Sequence, residues 1–142
     1  MLRCVLDTDV IIAALRSPGG ASAAILLNAP DNPALKLLGS VPLVLEYEAK
    51  CLLPEHWQAA GITENQTLAF LDTLVALMEP VKLDFHWRPQ LRDPGDEMVL
   101  ETAINGQADL LVTFNLRDYG EAPQRFGIQA LRPAEALKRI RI

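Results

Sequence analysis

The chain is short of several residue types, and each shortage narrows what it can be. Aromatic residues make up only 6% of its 142 positions, which argues against an aromatic-rich sandwich and for aliphatic side chains packing helices on a sheet. Cysteine is scarce: Cys4 and Cys51 lie far apart with no CxxC or metal-knuckle spacing, so they read as reduced, buried thiols. The two histidines, His56 and His86, fall outside every acidic segment, which removes the residue most often used for acid and base catalysis from the places where chemistry would sit. No apolar run is long and charge-free enough to span a bilayer, and MLRCVLDTDV enters a strand pattern with no small-residue cleavage site. A cytoplasmic location is the expectation. Basic residues are outnumbered, 13 Lys and Arg against 18 Asp and Glu, for a formal charge of −5. A surface that holds nucleic acid by bulk charge is therefore disfavoured. An RNA substrate stays compatible if the acids cluster around bound cations that offset them locally.

What is present is a regular alternation of strand and helix patterns, with no repeat, no low-complexity tract and no shift in composition. The length fits a single domain over residues 1–142. Residues 2–6 (LRCVL) read as a buried strand ending at Asp7, 10–15 as an apolar helix, RSPGG at 16–20 as a breaker and 21–27 as a second helix. A strand at 35–38 leads to a helix capped by Ser40, running to about residue 53 with Leu45, Ala49, Leu52 and Leu53 as its apolar stripe. Thr63 and Gln66 form a capping-box pattern before a helix in which Leu68, Leu71, Leu74, Val75 and Met78 repeat, ended by Pro80. A strand is expected at 81–85, a helix at 96–105 stopped by Gly106, strands within 109–114 and 128–131, and a last helix opened by Pro133. Such alternation implies crossovers and a parallel sheet of four or five strands between two helical layers, an α/β/α arrangement.

Four acidic segments fall where such a fold turns toward its ligand crevice, beyond the carboxyl ends of the strands. They contain Asp7 and Asp9 after the first strand, Glu46 on the helix after the second, Asp93, Asp96 and Glu97 at a helix start, and Asn115 with Asp118 after the strand LLVT. Singly, each has an ordinary role, as helix cap, solvated face or turn former. Together they repel, and carboxylates gathered at one place call for a divalent cation. Arg16, Arg117, Arg88 and Arg92 are placed to line a cleft mouth and pair with phosphates. Trp57 and Trp87 are read as packing residues rather than base readers.

These segments resemble PIN-domain nucleases, in particular the VapC-like toxins of bacterial toxin and antitoxin pairs. VLDTDVIIAAL is similar to that family's opening pattern, SVPLVLEYEAKCL to its glutamate segment, and DPGDEMVLETAINGQADLLVTFNLRDY to its closing acidic segment. The similarity runs from residue 2 to about 120 in the right order. It implies that Asp7, Glu46 and Asp96 hold a metal, Mg²⁺ or Mn²⁺. Asp118 is the favoured fourth acid, and the neutral Asn115 assists. Thr8 and Thr113 are the hydroxyls expected to fix the carboxylates. Asp9 stands where the family usually has Asn, and Tyr119 where it usually has Phe. The resemblance further implies hydrolysis of RNA to 5′-phosphate and 3′-hydroxyl ends without a protein nucleophile, an antitoxin partner, and a homodimer formed through helices at 10–15 and 21–27 or at 64–78. Two other readings compete. Asp7-Thr8-Asp9 also fits the start of a haloacid-dehalogenase-type phosphatase, although Lys82 is a poor match for that class's lysine. The second alternative is a catalytically weak module that binds RNA or a protein partner.

Overall fold

The computed structural model describes residues 1–86 and 90–141. Five strands, β1 (Leu2–Leu6), β2 (Leu35–Gly39), β3 (Met78–Pro80), β4 (Leu110–Val112) and β5 (Gln129–Leu131), form one sheet in the order β3-β2-β1-β4-β5. Every pairing is parallel, with Cys4 opposite Leu37 on one side and Leu110 on the other. β1 is thus central, and Cys4, Val5 and Leu6 are fully enclosed. That is why its sequence is continuously apolar rather than alternating.

Helices α1 (Thr8–Arg16), α2 (Ala21–Asn28), α3 (Val41–Cys51), α4 (Pro54–Ala59), α5 (Glu64–Ala76), α6 (Pro94–Asn105), α7 (Leu116–Tyr119), α8 (Ala122–Arg125) and α9 (Pro133–Arg141) flank the sheet, with a short 3₁₀ turn at Ala29–Asp31. α6 packs across β1, β2 and β4, while α1 packs against α2, α3 and α4. The chain builds β1, β2 and β3 outward in one direction and then crosses back to lay β4 and β5 on the other side of β1. The strand order therefore reverses between β1 and β4, and such a reversal opens a crevice at the carboxyl ends of the two strands.

The structure corrects several expectations. The third strand is Met78–Pro80, not 81–85. α5 stops at Ala76, and Pro80 sits inside β3, an edge strand that tolerates a residue without an N–H. Val81 then adds one more bond, donating its N–H to Gly39 O at 2.8 Å. The apolar stripe of α3 is Leu43, Tyr47 and Cys51, whereas Leu45 is 57% exposed. α5 likewise turns Thr67, Leu71 and Leu74 inward and leaves Leu68 and Val75 exposed. In α3 an apolar face at the surface competes with the core face and spacing selects the wrong stripe, whereas in α5 spacing finds Leu71 and Leu74 and wrongly adds Leu68 and Val75. Gly106 does end α6, but not by left-handed backbone, since its φ is −84°. A Cβ there would lie 2.9 Å from both Leu38 Cδ1 and Val81 Cγ2, so close packing requires the glycine. Helices α4, α7 and α8 are too short to leave a periodic signal in the sequence.

Candidate metal centre

Asp7 is the residue that β1 delivers into the crevice. It caps α1, its Oδ1 accepting the Thr8 backbone N–H at 2.7 Å. Its Oδ2 accepts the Thr113 hydroxyl at 2.8 Å and the Tyr119 hydroxyl at 3.0 Å. Thr113 directly follows β4 and Tyr119 ends α7, so three elements close on one carboxylate that is 7% exposed. Burial pushes the Asp7 pKa above its ordinary value, and the charge of Asp118 adds to the rise, against the pull of these three donors. The Thr113 hydroxyl does what the sequence suggests. Thr8 contributes its backbone N–H rather than its hydroxyl.

Asp96 reaches the same place from α6. Asp93 caps that helix by accepting the Gly95 N–H at 2.7 Å, and Pro94 is its first residue. Asp96 therefore falls inside the first turn, where the helix dipole favours a negative charge. Its pKa is nevertheless pushed up to about 6, by partial burial first and then by the charges of Asp7, Asp93 and Asp118, with the Tyr119 hydroxyl opposing. Asp7, Asp96 and Asp118 thus repel one another, as acids sharing one site do. Among the described residues, no Lys, Arg or His forms an ion pair with any of the three.

Glu46 sits on α3, half-buried, beside Tyr47. The Tyr47 hydroxyl donates to the Leu6 carbonyl immediately before Asp7, and burial, then the charge of Asp7, holds its pKa well above the ordinary value. Glu46 itself enters no hydrogen bond or ion pair among the described residues. The helix that carries it is tied to α6 by the buried Ser40 and Thr102 hydroxyls, 2.7 Å apart. Asn115 does not cap α7; its side-chain amide donates instead to Asp9 Oδ2 at 3.0 Å. Asp9 has its pKa raised to about 7, by burial and then by Asp7, and its Oδ1 is enclosed without a hydrogen-bond partner. The sequence placed Asp9 in the first acidic segment and Tyr119 only as a departure from a pattern, and gave neither its partners. Their contacts join segments more than a hundred residues apart, which no local spacing reveals.

In front of this group lies a cleft of about 800 Å³. Asp93, Asp96 and Asp118 line it together with Arg92, Arg117 and Arg125. Arg125 Nη1 reaches Gln90 Oε1 at 3.3 Å across part of it. Arg16 does not line the cleft. It ends α1, where its Nη1 lies 3.3 Å from His56 Nδ1 on α4, about 12 Å along the helix from Thr8 at its rise per residue. His86 pairs with Glu101 at 3.2 Å, so neither histidine joins the acids. Trp57 is half-buried on α4 with its indole N–H enclosed. Arg88 and Trp87 lie outside the described residues.

The donor set fits a hard divalent cation: every candidate is an oxygen, and burial together with the neighbouring acids raises the pKa of Asp7 and Asp96, with no ion-paired basic side chain among the described residues to relieve them. Among the described residues no three His, Cys, Asp or Glu side chains stand close enough to enclose an ion as they are placed. Binding would require the carboxylates to turn inward from their present rotamers.

Comparison with known proteins bears on the family and the fold. The sequence profile of the PIN domain matches residues 3–117. Three solved structures share the fold. VapBC2 from Rickettsia felis, bound to a DNA fragment from its promoter, aligns with a TM-score of 0.64 at 15% identity over 92% of this chain and 98% of its own. VapBC-1 from nontypeable Haemophilus influenzae gives 0.65 at 13% identity, over 94% and 99%. DNA-bound VapBC from Salmonella typhimurium gives 0.63 at 18% identity, over 94% and 99%. At these identities the likeness is one of fold. No curated protein sequence matches the chain.

Proposed function

The chain belongs to the PIN-domain family, and on that premise we propose that it is a metal-dependent endoribonuclease acting as the toxin of a toxin and antitoxin pair. The observation that carries this reading is the convergence of Asp7, Asp96 and Asp118 where the strand order reverses, with Asp96 and Asp118 on the wall of a cleft that also presents three arginines. A phosphodiester strand needs both kinds of charge. Arg92, Arg117 and Arg125 would pair with backbone phosphates, and Asp7, Glu46, Asp96 and Asp118 would hold Mg²⁺ or Mn²⁺. The cation supplies a water of lowered pKa and charge neutralisation at the leaving oxygen.

The protein's own part is placement. Thr113, Tyr119 and the Thr8 N–H keep Asp7 oriented, so that one carboxylate is fixed before any ligand arrives. Asp96 and Asp118, at the cleft wall, are the acids free to turn inward. Glu46, which the family pattern implies as a core acid beside Asp7 and Asp96, would approach from α3. Cys4 and Cys51 take no part, because burial pushes their thiols up to about 12 and about 11. Membership of the PIN family displaces the phosphatase reading of Asp7-Thr8-Asp9.

The likeness to VapBC structures supports an antitoxin partner for this chain; a homodimer is proposed on the family resemblance alone. Among the described residues no single helix is long and apolar enough to cross a membrane. The test is Mn²⁺ titration followed by thermal denaturation, with cleavage of end-labelled RNA and DNA strands by wild type, Asp7→Asn and Asp96→Asn. The expected result is metal-dependent cleavage of RNA to 5′-phosphate ends, lost in both variants. If no cation binds, or cleavage survives both substitutions, the nuclease reading is wrong.

A further inference from the structure

Asp9 belongs to α1, yet three donors to its carboxylate come from the loop after β4. Its Oδ2 accepts the backbone N–H of Phe114 at 3.1 Å, the side-chain amide of Asn115 at 3.0 Å and, more weakly, the Thr113 hydroxyl at 3.5 Å. These three consecutive residues are the whole connection between β4 and α7. The placement of that connection matters to the site, because α7 is four residues long and carries both Asp118 and Tyr119. Such a short helix cannot hold its own orientation, and no side chain caps it from within. The loop needs an external anchor. Asp9 supplies one from the first turn of α1, a helix whose start is already fixed by Asp7.

We propose that Asp9 is a positioning residue, clamping the Thr113–Asn115 loop onto α1 and so setting where Asp118 and Tyr119 stand relative to Asp7. Its kinetic consequence rests on the nuclease reading above; its structural consequence does not. All three donors converge on one oxygen, while Asp9 Oδ1 has no hydrogen-bond partner among the described residues. The clamp therefore needs one well-placed acceptor, not a charge. An asparagine with its carbonyl in the Oδ2 position keeps every contact.

The test compares Asp9→Ala, Asp9→Asn and Asn115→Ala, reading amide hydrogen exchange at Phe114 in the metal-free protein and kcat and KM for a single-stranded RNA with Mn²⁺. Asp9→Ala is expected to speed Phe114 exchange roughly tenfold or more. It should lower kcat by a similar factor with KM within about threefold, because misplacement of a reacting group acts on the chemical step. Asp9→Asn should hold both quantities within about threefold of wild type, since its carbonyl accepts the same donors. Asn115→Ala, at an exposed position that folding tolerates, should speed Phe114 exchange to an intermediate degree. Unchanged exchange in both alanine variants would overturn the clamp, and so would an Asp9→Asn variant as impaired as Asp9→Ala. If wild type cleaves no strand, the nuclease reading fails, and Phe114 exchange alone still decides the clamp.

Discussion

The Tyr119 hydroxyl donates to Asp7 Oδ2 at 3.0 Å, joining residues 112 positions apart in the sequence. Tyr119 is 1% exposed, and Asp7 shares the same oxygen with the Thr113 hydroxyl. A buried carboxylate stripped of a donor loses a charge-assisted bond worth about 1.5–3 kcal/mol. Tyr119→Phe and Thr113→Val should each destabilise the metal-free protein at neutral pH by about that amount. The pair together should cost more than the sum of the two, because Asp7 would then keep only the Thr8 N–H. Urea unfolding of the two singles and the double checks this. A Tyr119→Phe protein within about 0.5 kcal/mol of wild type would mean that Asp7 does not depend on the phenol.

The raised carboxylates make a pH prediction with a definite sign. Asp9 titrates at about 7 and Asp96 at about 6, both well above the ordinary 3.8, and Asp7 is raised as well. The folded state therefore binds more protons than the unfolded chain through this interval. The stability they contribute is complete below about pH 3.8 and is lost as pH climbs through 6 and 7. Glu79, held below its ordinary 4.5 by Arg3, works in the opposite sense only at the acid end. In chelator, urea midpoints should fall steadily from about pH 4.5 to 7.5, and saturating Mn²⁺ should restore them. A midpoint that rises over that range with chelator present would contradict the cluster.

The same repulsion separates stability from activity. Asp96→Asn removes one of the mutually repelling charges, so the metal-free variant should melt higher than wild type at pH 7.5. It should also show a smaller Mn²⁺-induced rise in melting temperature and no cleavage. Function that depends on crowded charge is destabilising until its ligand binds. Calorimetry with and without Mn²⁺ reads both effects, and a variant less stable than wild type in chelator would show that Asp96 is held by favourable contacts instead.

Much of this arrangement was legible from the chain. LRCVL, continuously apolar and followed by Asp7, marks a central parallel strand, and the Thr63–Gln66 capping box appears as expected. The helix start at Ser40 follows from a side chain that accepts an orphan N–H of the first turn, while α6 begins at Pro94, ahead of the expected residue 96, because Asp93 caps it in the same way. What failed was facing. Leu45 and Val75 are apolar but exposed, and periodicity cannot tell a core face from an apolar surface face. At the site, residue types and order pointed to Asp7, Asp96 and Asp118. The contacts of Asp9 with Phe114 and of Tyr119 with Asp7 depend on how β1 and β4 lie side by side, which is a property of register rather than of spacing.

Glu97 is an acid beside the site whose work is different. It is 4% exposed on the inner side of α6, and its Oε1 accepts the backbone N–H groups of Gln90 and Leu91, each at 2.6 Å. Those two residues lead directly to Arg92 and Asp93 at the cleft wall, so Glu97 secures the approach to α6. Since one oxygen takes both bonds, Glu97→Gln can retain them and should cost about 1 kcal/mol, the difference between a charged and a neutral acceptor. Glu97→Ala leaves two N–H groups without their acceptor and should cost about 2–4 kcal/mol. The loss should also be local. Trypsin should cut after Arg92 much faster in Glu97→Ala than in Glu97→Gln or wild type, because the segment opens without global unfolding. Equal cleavage rates in all three proteins would show that the segment is held by its packing and not by this carboxylate.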